Sequence, residues 1–300
     1  MFGHTSSPEN ESNNNAITEA AARQKACDRD YAILKLPPRD FRAMNRLSAC
    51  LITLNEAHNL PRALASLQEI ADEIVIVDSG STDGSEAIAR KYGAIFITRE
   101  FNGYAEQRNF AASRAGNEWI FVLGADEEVS SELQTALLSW KKHMPKANVY
   151  EMARRTWYLG KWIHHSGWYP DWQRRLYRRD TAKFTGLVHE ALRFEGAPGR
   201  LAGDLLHYTV RTLAEHKEKV ERYSTLAAQQ LLENGKKRWR PAVWLATPWS
   251  FFQNFILRGG FLDGYRGALI SHMAARSVKL KYGKLGKLLA ARRDQRSMPG

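Results

Sequence analysis

Short apolar runs alternate with amphipathic segments through the first half of the chain. Runs rich in β-forming residues predict four buried strands and a fifth strand candidate: 47–53, 73–78, 94–98, 119–126 and 148–153. Apolar positions at helical spacing predict the helices that separate them: 59–70, 83–92, 104–115 and 130–142. This alternation is typical of βαβ units and of a mainly parallel, Rossmann-like sheet covered on both faces. The predicted fold class is therefore α/β.

The pattern changes in the second half, and the chain is predicted to have three parts. Residues 154–190 are crowded with Arg, Trp, Tyr and His, and 212–234 has the spacing of an amphipathic helix. The chain beyond that helix is basic and is predicted to be helical in pieces. The predicted parts are a flexible polar extension over 1–45, an α/β domain over 46–210 and a basic helical region over 211–300.

The positive charge is confined to the last ninety residues. The chain carries 44 Lys and Arg against 32 Asp and Glu, and residues 211–300 hold 18 of the first group and 6 of the second. A basic surface of this kind favours nucleic acid or the anionic leaflet of a membrane, although a solvated basic tail has the same composition. The uncharged run 241–257 is shorter than the roughly 20 apolar residues that span a bilayer. Its Trp and Phe content indicates an interfacial segment, so we expect residues 236–290 to bind an anionic membrane surface without crossing it.

Cysteine content and missing motifs exclude several classes of protein. The two cysteines, Cys27 and Cys50, form no zinc-like spacing and no disulfide framework, which fits a reducing compartment. Because the N-terminal residues lack an apolar signal core, we expect a cytoplasmic protein, peripheral on the inner face of the cytoplasmic membrane. No GxGxxG follows the first strand and no GxxxxGK[ST] occurs, which argues against a dinucleotide oxidoreductase and a P-loop NTPase. No nucleic-acid-binding module is recognisable, so nucleic acid is not an expected partner.

Polar clusters follow three of the predicted strands, at the edge where open α/β sheets bind ligands. Aspartates at strand ends can accept hydrogen bonds from a base or a ribose, and a tight turn into a helix N-terminus suits anionic groups. Carboxylates can also hold Mg²⁺ or Mn²⁺, which bridge to phosphates. Turns and helix caps use the same residue types, so each cluster alone has a purely structural alternative. The clusters are Thr53, Asn55 and Glu56, then Asp78 and Ser79, then Asp126, Glu127 and Glu128.

Four motifs occur in order between residues 50 and 190. They are CLITLNEAHNLPRALASL, EIVIVDSGSTDGSEAIARKYGA, EFNGYAEQRNFAASRAGNEWIFVLGADEEVS, and YPDWQRRLYRR followed by GLVHE. This series resembles the family 2 inverting glycosyltransferases of the GT-A fold, and within them the lipopolysaccharide core β-1,4-glucosyltransferases of the WaaE/KdtX type. The resemblance, which covers about residues 47–290, implies a GT-A fold with a basic helical C-terminal extension and a metal-dependent transfer, with Mg²⁺ or Mn²⁺. It also implies a UDP-sugar donor, with glucose as the sugar, and a heptose of the lipopolysaccharide inner core as the acceptor.

The resemblance also implies roles for individual residues. The turn 53–56 and Asp78 would contact the nucleotide, with Asp78 near the uracil. Asp126 matches the last aspartate of the Asp-x-Asp motif, which coordinates the cation and the diphosphate. The remaining matches are Arg108 and Asn109 near the donor, Gln173 and Arg175 on the donor or acceptor side, and His189 and Glu190 near the acceptor.

An inverting transfer needs a base that takes the acceptor hydroxyl proton while the oxygen attacks the anomeric carbon. The candidates are Glu190, Asp171 and His189. Glu190 is favoured because the adjacent histidine could orient it, and an ion pair between Glu190 and a nearby arginine is the structural alternative. Several arginines of this region, including Arg154 and Arg174, could meet acceptor phosphates or be simple surface charge.

One position departs from the family pattern. Members of this type read Asp-Ala-Asp where this chain reads Gly124-Ala125-Asp126. The missing carboxylate predicts weak binding of the donor or the metal, which Gly124→Asp should strengthen if the backbone there accepts a side chain. It also leaves open, as an alternative to an active transferase, a catalytically weak or silent protein that binds sugar nucleotides or glycans. The net charge of +12 leaves a nucleic-acid-binding protein as the last alternative.

Overall fold

The computed structural model describes residues 45–186, 190–236 and 240–297. The strands are β1 (Leu47–Thr53), β2 (Glu73–Asp78), β3 (Ile95–Thr98), β4 (Trp119–Val122), β5 (Glu127–Val129), β6 (Val149–Tyr158), β7 (Lys161–Trp162), β8 (Asp171–Arg178), β9 (Ala182–Thr185), β10 (Ala191–Phe194) and β11 (Gly199–Val210). The α-helices are α1 (Leu60–Leu67), α2 (Ser85–Lys91), α3 (Tyr104–Arg114), α4 (Ser131–Lys141), α5 (Leu213–Glu233), α6 (Arg240–Phe252) and α7 (Tyr265–Ser297). A π-helical turn (Gln253–Leu257) and a 3₁₀ turn (Gly260–Asp263) join α6 to α7. The predicted extension over 1–45 lies outside the described residues, apart from residue 45.

The main sheet has the strand order β3-β2-β1-β4-β8-β6-β11-β5, with β7 paired to β6. Strands β1 to β4 pair in parallel, β8 runs antiparallel to its neighbours β4 and β6, and β11 runs parallel to β6. The four parallel strands and the helices α1 to α4 follow the predicted alternation, and the α/β class is confirmed. The predicted fourth strand ends early, at Val122, because the chain turns where Glu127 N donates to Gly124 O. Asp126 therefore lies just beyond the sheet edge.

The core consists of two apolar clusters, one on each face of the parallel strands. Leu51 and Ile76 pack with α1 and α4 on one face, while Cys50 and Val75 pack with α3 on the other. Successive residues of a strand point to opposite faces, so covering both faces requires an unbroken apolar run. This arrangement explains why the first strands could be read from the sequence.

Strands β8 to β11 were missed because their sequences lack an apolar run. In β8 only the stretch Arg175–Tyr177 is buried, and the strand carries three arginines and an aspartate. Buried Arg175 is paired to the carboxylate of Glu127. Charged residues that are buried through ion pairs leave no hydrophobic periodicity for a sequence pattern to reveal.

The C-terminal helices pack on one another and on the end of the sheet. Helix α7 contacts both α5 and α6, and its Ile270 packs with Tyr158 and Ile163 in a third apolar cluster. The Arg266 guanidinium on α7 donates to Leu159 O at 2.9 and 3.0 Å. The helical C-terminal part is confirmed, although α7 is one continuous helix of 33 residues. Within the described ranges, no helix is both long and apolar enough to cross a bilayer.

Candidate active site

The loops after β1 and β2 are held together by the carboxylate of Asp78. This side chain is buried and accepts hydrogen bonds from Thr53 Oγ1 at 2.7 Å, Ser81 Oγ at 2.6 Å, and the backbone N–H groups of Gly80 and Ser81 at 2.9 and 2.6 Å. A carboxylate offers about four acceptor positions, so the turn itself engages Asp78 fully. The contact of Asp78 with a uracil stays a prediction, and it would have to share oxygens that already bind the turn.

Asn55, Glu56 and Ser79 lie in the same pair of loops, as expected. Asn55 adopts a left-handed φ of 55°, which asparagine tolerates, and its Oδ1 accepts from Thr82 N at 2.9 Å. Glu56 accepts from Asn59 Nδ2 at 2.7 Å; burial raises the pKa of the Glu56 carboxyl, and the charge of Asp126 acts in the same direction. Ser79 Oγ accepts from Gln107 Nε2 at 3.3 Å on α3. The charge of Asp126 acts on Glu56, so the first and third clusters lie near each other.

Asp126 is paired with a histidine that the sequence did not single out. The antiparallel pairing of β11 with β5 places His207 opposite Glu127, and His207 Nε2 lies 3.1 Å from Asp126 Oδ2. Burial alone would raise the pKa of Asp126, but the hydrogen bond and charge of His207 outweigh it and lower this pKa to about 2. Asp126 is therefore ionised at neutral pH. Among the described residues, the buried Nδ1 of His207 has no hydrogen-bond partner.

Glu127 fills the space beside Gly124. Its Oε2 accepts from Gly124 N at 2.7 Å, and its Oε1 lies 2.7 Å from Arg175 Nη2 and 3.4 Å from Arg154 Nη1. Burial opposes the charge on Glu127, but the two arginines and His207 outweigh it and hold its pKa below the usual value. A Cβ on Gly124 would lie 3.0 Å from Glu127 Cδ, Glu127 Oε2 and Asp126 Oδ1. Available space, and not the φ angle, therefore limits which side chains fit at 124.

A cleft of about 670 Å³ brings together four of the predicted site residues. Its walls come from α3, β6, β8, β9, β10 and α5, and its lining is mostly polar. The predicted residues in it are Arg108, Gln173, Arg175 and Glu190, and they are joined by Arg154, Trp172, Arg174, Phe184, Ala191, Leu192 and Tyr223.

The candidate bases differ in position and in how they are held, because Glu190 lines this cleft and Asp171 does not. Asp171 Oδ2 lies 2.6 and 2.9 Å from Arg154 Nη2 and Nε, and its Oδ1 accepts from Gln173 Nε2 at 2.8 Å. Glu190 has one ion pair, at 3.4 Å to Arg108 Nη2, so the expected structural alternative is present. Burial and the charge of Arg175 lower the pKa of Arg108 to about 10. Glu190 is thus less tightly held than Asp171, while His189 lies outside the described residues.

Asn109 follows Arg108 on helix α3, and its side-chain amide is hydrogen-bonded to the backbone of Phe184 on β9. Its Nδ2 donates to Phe184 O at 2.8 Å and its Oδ1 accepts from Phe184 N at 3.0 Å. The amide thereby attaches β9 to α3 and is absent from the lining of the cleft. The donor contact expected of Asn109 stays a prediction.

Comparison with known proteins identifies the family. The family model for glycosyl transferase family 2 matches residues 48–192. The lipopolysaccharide core biosynthesis glycosyltransferase LpsC of Rhizobium meliloti is 32% identical over 255 residues, which are 77% of this chain and 91% of LpsC. An uncharacterized glycosyltransferase of Rickettsia felis is 30% identical over 267 residues, covering 82% of this chain and 91% of the relative.

A solved structure of glucosyl-3-phosphoglycerate synthase from Mycobacterium tuberculosis, in complex with Mn²⁺, UDP and glucosyl-3-phosphoglycerate, is 20% identical. The match covers 40% of this chain and 46% of that one, less than half of each, and its TM-score of 0.32 supports no argument about ligands. Membership of the family follows from the family model and the two relatives alone. The chain belongs to glycosyl transferase family 2 and has the GT-A α/β fold with a helical C-terminal part.

Proposed function

We propose that this protein is an inverting glycosyltransferase that moves a sugar from a UDP-sugar to the inner core of lipopolysaccharide. The observation that carries this proposal is that ion pairs link the strand end that holds one carboxylate, Asp126, to the cleft that holds another, Glu190. Ionised Asp126 stands at the strand end, and Glu190 stands in the cleft, with the Glu127 ion pairs to Arg154 and Arg175 between them. The similarity to LpsC, a glycosyltransferase of lipopolysaccharide core biosynthesis, supports the acceptor class. Glucose as the sugar and a heptose as its acceptor are the finer parts of the proposal.

The strand-end residues fit a divalent cation. Asp126 Oδ2 and His207 Nε2 are 3.1 Å apart. Both residues would hold the ion with His207 neutral, because its Nε2 lone pair would then face the cation in place of the hydrogen bond to Asp126. No group of three or more Asp, Glu, His or Cys able to hold a metal occurs in the described part of the chain. Donor phosphate oxygens would therefore complete the site, and the bound cation would offset charge on the departing UDP.

The cleft would bind the acceptor, and a carboxylate in it would accept the proton of the acceptor hydroxyl. Glu190 takes the proton of the attacking hydroxyl, and Arg108 at 3.4 Å orients the carboxylate. Arg174 and Arg175 provide donors for phosphate or carboxylate groups on the acceptor. Trp172, 40% exposed, presents a flat apolar face on which a pyranose ring can stack. Each of these groups lines the same cleft.

Turnover tests this proposal, with Glu190 and a nearby glutamate as a matched pair. Glu190→Gln should reduce transfer from UDP-glucose to a lipopolysaccharide core acceptor by at least ~10²-fold, as loss of a general base does. Glu195→Gln, an exposed change outside the cleft, should leave the rate unchanged. Equal rates for Glu190→Gln and wild type would exclude Glu190 as the base. A screen of other UDP-sugars with linkage analysis of the product then identifies the sugar and the acceptor hydroxyl.

A weak or silent sugar-nucleotide binder is the second candidate function, and Gly124 is the observation that favours it. Such a protein would bind UDP-sugars without producing a glycosylated acceptor at any cation concentration. Calorimetric binding of the donor together with zero product for the complete UDP-sugar series would support this candidate over the transferase.

We also propose that residues 236–290 attach the protein to an anionic membrane surface. Helix α6 exposes Trp244 (80%), Leu245 (72%) and Trp249 (55%), and α7 carries nine Lys and Arg against one acidic residue. Exposed aromatic residues beside basic ones suit the interface of an anionic bilayer. Sedimentation with phosphatidylglycerol vesicles should therefore occur and weaken at high salt. Equal, salt-resistant sedimentation with neutral vesicles would contradict the electrostatic part.

A further inference from the structure

A groove of about 390 Å³ runs between α6 and α7, away from the cleft described above. The residues that line it from α7 are spaced i, i+3, i+4 and i+7, so they form one stripe along about 10 Å of that helix. Its floor is apolar, from the rings of Pro248 and Phe251 on α6 and the methyl group of Ala275 on α7. The complete lining is Thr247, Pro248, Phe251, His272, Ala275, Arg276 and Lys279.

The rim of the groove on α7 is cationic and exposed. His272, Arg276 and Lys279 are all exposed, and no carboxylate in the described part of the chain forms an ion pair with any of them. By contrast, Lys284 further along the same helix does form an ion pair, with its Nζ 2.6 Å from Glu221 Oε1. Glu221 acts on Arg276 through its charge but forms no ion pair with it. An apolar floor beside Arg276 and Lys279, whose hydrogen-bond donors are free of ion pairs with the described carboxylates, is complementary to an anionic amphiphile.

The groove is continuous with the exposed apolar surface of α6. Trp244, Pro248 and Phe251 are spaced i, i+4 and i+7 and therefore lie on one face of that helix. Trp244 is 80% exposed and extends this face beyond the groove, towards the start of α6. A ligand that extended out of the groove in that direction would contact these apolar side chains before it reached water.

We propose that the groove receives one acyl chain of an anionic phospholipid, whose phosphate is held by Arg276 and Lys279. The proposal rests on the membrane attachment proposed above and makes it specific for single lipid molecules. A cavity of about 150 Å³ holds one six-carbon benzene molecule, so by the same measure this groove has room for roughly ten to fifteen carbons. The arginine and lysine on the rim supply charge-assisted hydrogen bonds to the phosphate.

A chain-length series of soluble probes tests the groove without a membrane. Hexyl, octyl and decyl phosphate, each below its aggregation concentration, are titrated into the full chain by calorimetry. Affinity should rise about fourfold for each added CH₂. Alkyl maltosides of the same lengths, which lack the charge, should bind at least ~10-fold more weakly.

Variants separate the apolar floor from the charged rim. Ala275→Leu fills the floor and should flatten the chain-length dependence. Arg276→Gln with Lys279→Gln should remove the preference for phosphate over maltoside, and these exposed positions can change without disturbing the fold. Arg292→Gln, an exposed change on the same helix outside the groove, is the matched control and should behave like wild type.

Several outcomes would overturn the proposal. Affinity that is independent of chain length in the wild-type protein, or unchanged in both groove variants, would exclude an acyl site. If phosphatidylglycerol vesicles still bind in that case, membrane attachment stands and only the groove is refuted. Binding of the lipid part of a lipopolysaccharide acceptor, with no binding of alkyl phosphates or phosphatidylglycerol, would refute a phospholipid as the occupant.

Discussion

Gly124→Asp should destabilise the protein and weaken donor binding, in contrast to what the sequence motif suggests. A Cβ at this position lies 3.0 Å from Asp126 Oδ1 and from two atoms of the Glu127 carboxyl group. Glu127 cannot withdraw easily, because Arg175 Nη2 and Gly124 N each lie 2.7 Å from its oxygens. The backbone is not the obstacle, since the φ angle of Gly124 lies outside the left-handed region.

The magnitude has a steric and an electrostatic part. Gly124→Ala adds only the Cβ, and overpacking of this kind costs about 1–3 kcal/mol of unfolding free energy. Aspartate also adds a third carboxylate next to Asp126 and Glu127. Two like charges 4 Å apart repel by about 4 kcal/mol at an effective dielectric constant of 20, and Arg154 and Arg175 offset part of this. We expect Gly124→Asp to lose roughly 2–5 kcal/mol.

Urea unfolding of four proteins measures the two parts. They are the wild type, Gly124→Ala, Gly124→Asp, and Gly124→Asp combined with Glu127→Gln, which removes one of the repelling charges. Stability should fall in the order wild type, alanine, aspartate, and the double variant should recover part of the loss. Calorimetry with UDP-glucose and Mn²⁺ should give a donor Kd at least ~10-fold weaker for Gly124→Asp, because the new side chain would displace the Asp126 carboxylate, which lies 3.0 Å from its Cβ and is proposed to hold the cation. A stable Gly124→Asp protein that binds the donor more tightly than wild type would refute this reasoning and show that 124 is a vacant ligand position.

Two further predictions follow from the charges in the structure. Asp126→Asn removes the ionised carboxylate beside His207 and should cut transfer by at least ~10²-fold, with a matching loss of cation dependence, in an assay of initial rates; a near-normal rate in the folded variant would show that Asp126 holds no cation. His216 lies 2.8 Å from the Tyr158 hydroxyl, and burial, with the charge of Lys219, lowers its pKa below the usual 6.5. The unfolded chain therefore takes up this proton first, so stability is full above pH 6.5 and declines as the pH falls below it. His216→Phe should flatten that decline in Tm, and an unchanged slope would exclude His216 as its source.

The sequence by itself determined the parallel half of the sheet and the edge at which chemistry is expected. Strands β1, β2 and β4 are continuous apolar runs because both of their faces are covered, and such runs are local signals; β3, at the edge of the sheet, is apolar but partly exposed. The polar clusters that follow them must lie at one edge, because parallel strands end on the same side. Asp78 and Asp126 were found in this way, although only the structure shows that Asp78 holds its own turn together.

Tertiary structure alone decided the partners of those residues. His207 reaches Asp126 across 81 positions only because β11 pairs with β5, and Arg175 reaches Glu127 across 48 positions only because β8 lies within the same sheet. These contacts pair each buried charge with an opposite one, and burying a charge is tolerated only where such a partner lies within a few ångströms. Hydrophobic periodicity carries no record of such pairs, so strands built from them were missed. The sequence could not show how little space lies beside Gly124, because the Glu127 carboxylate that occupies it is held there by Arg175.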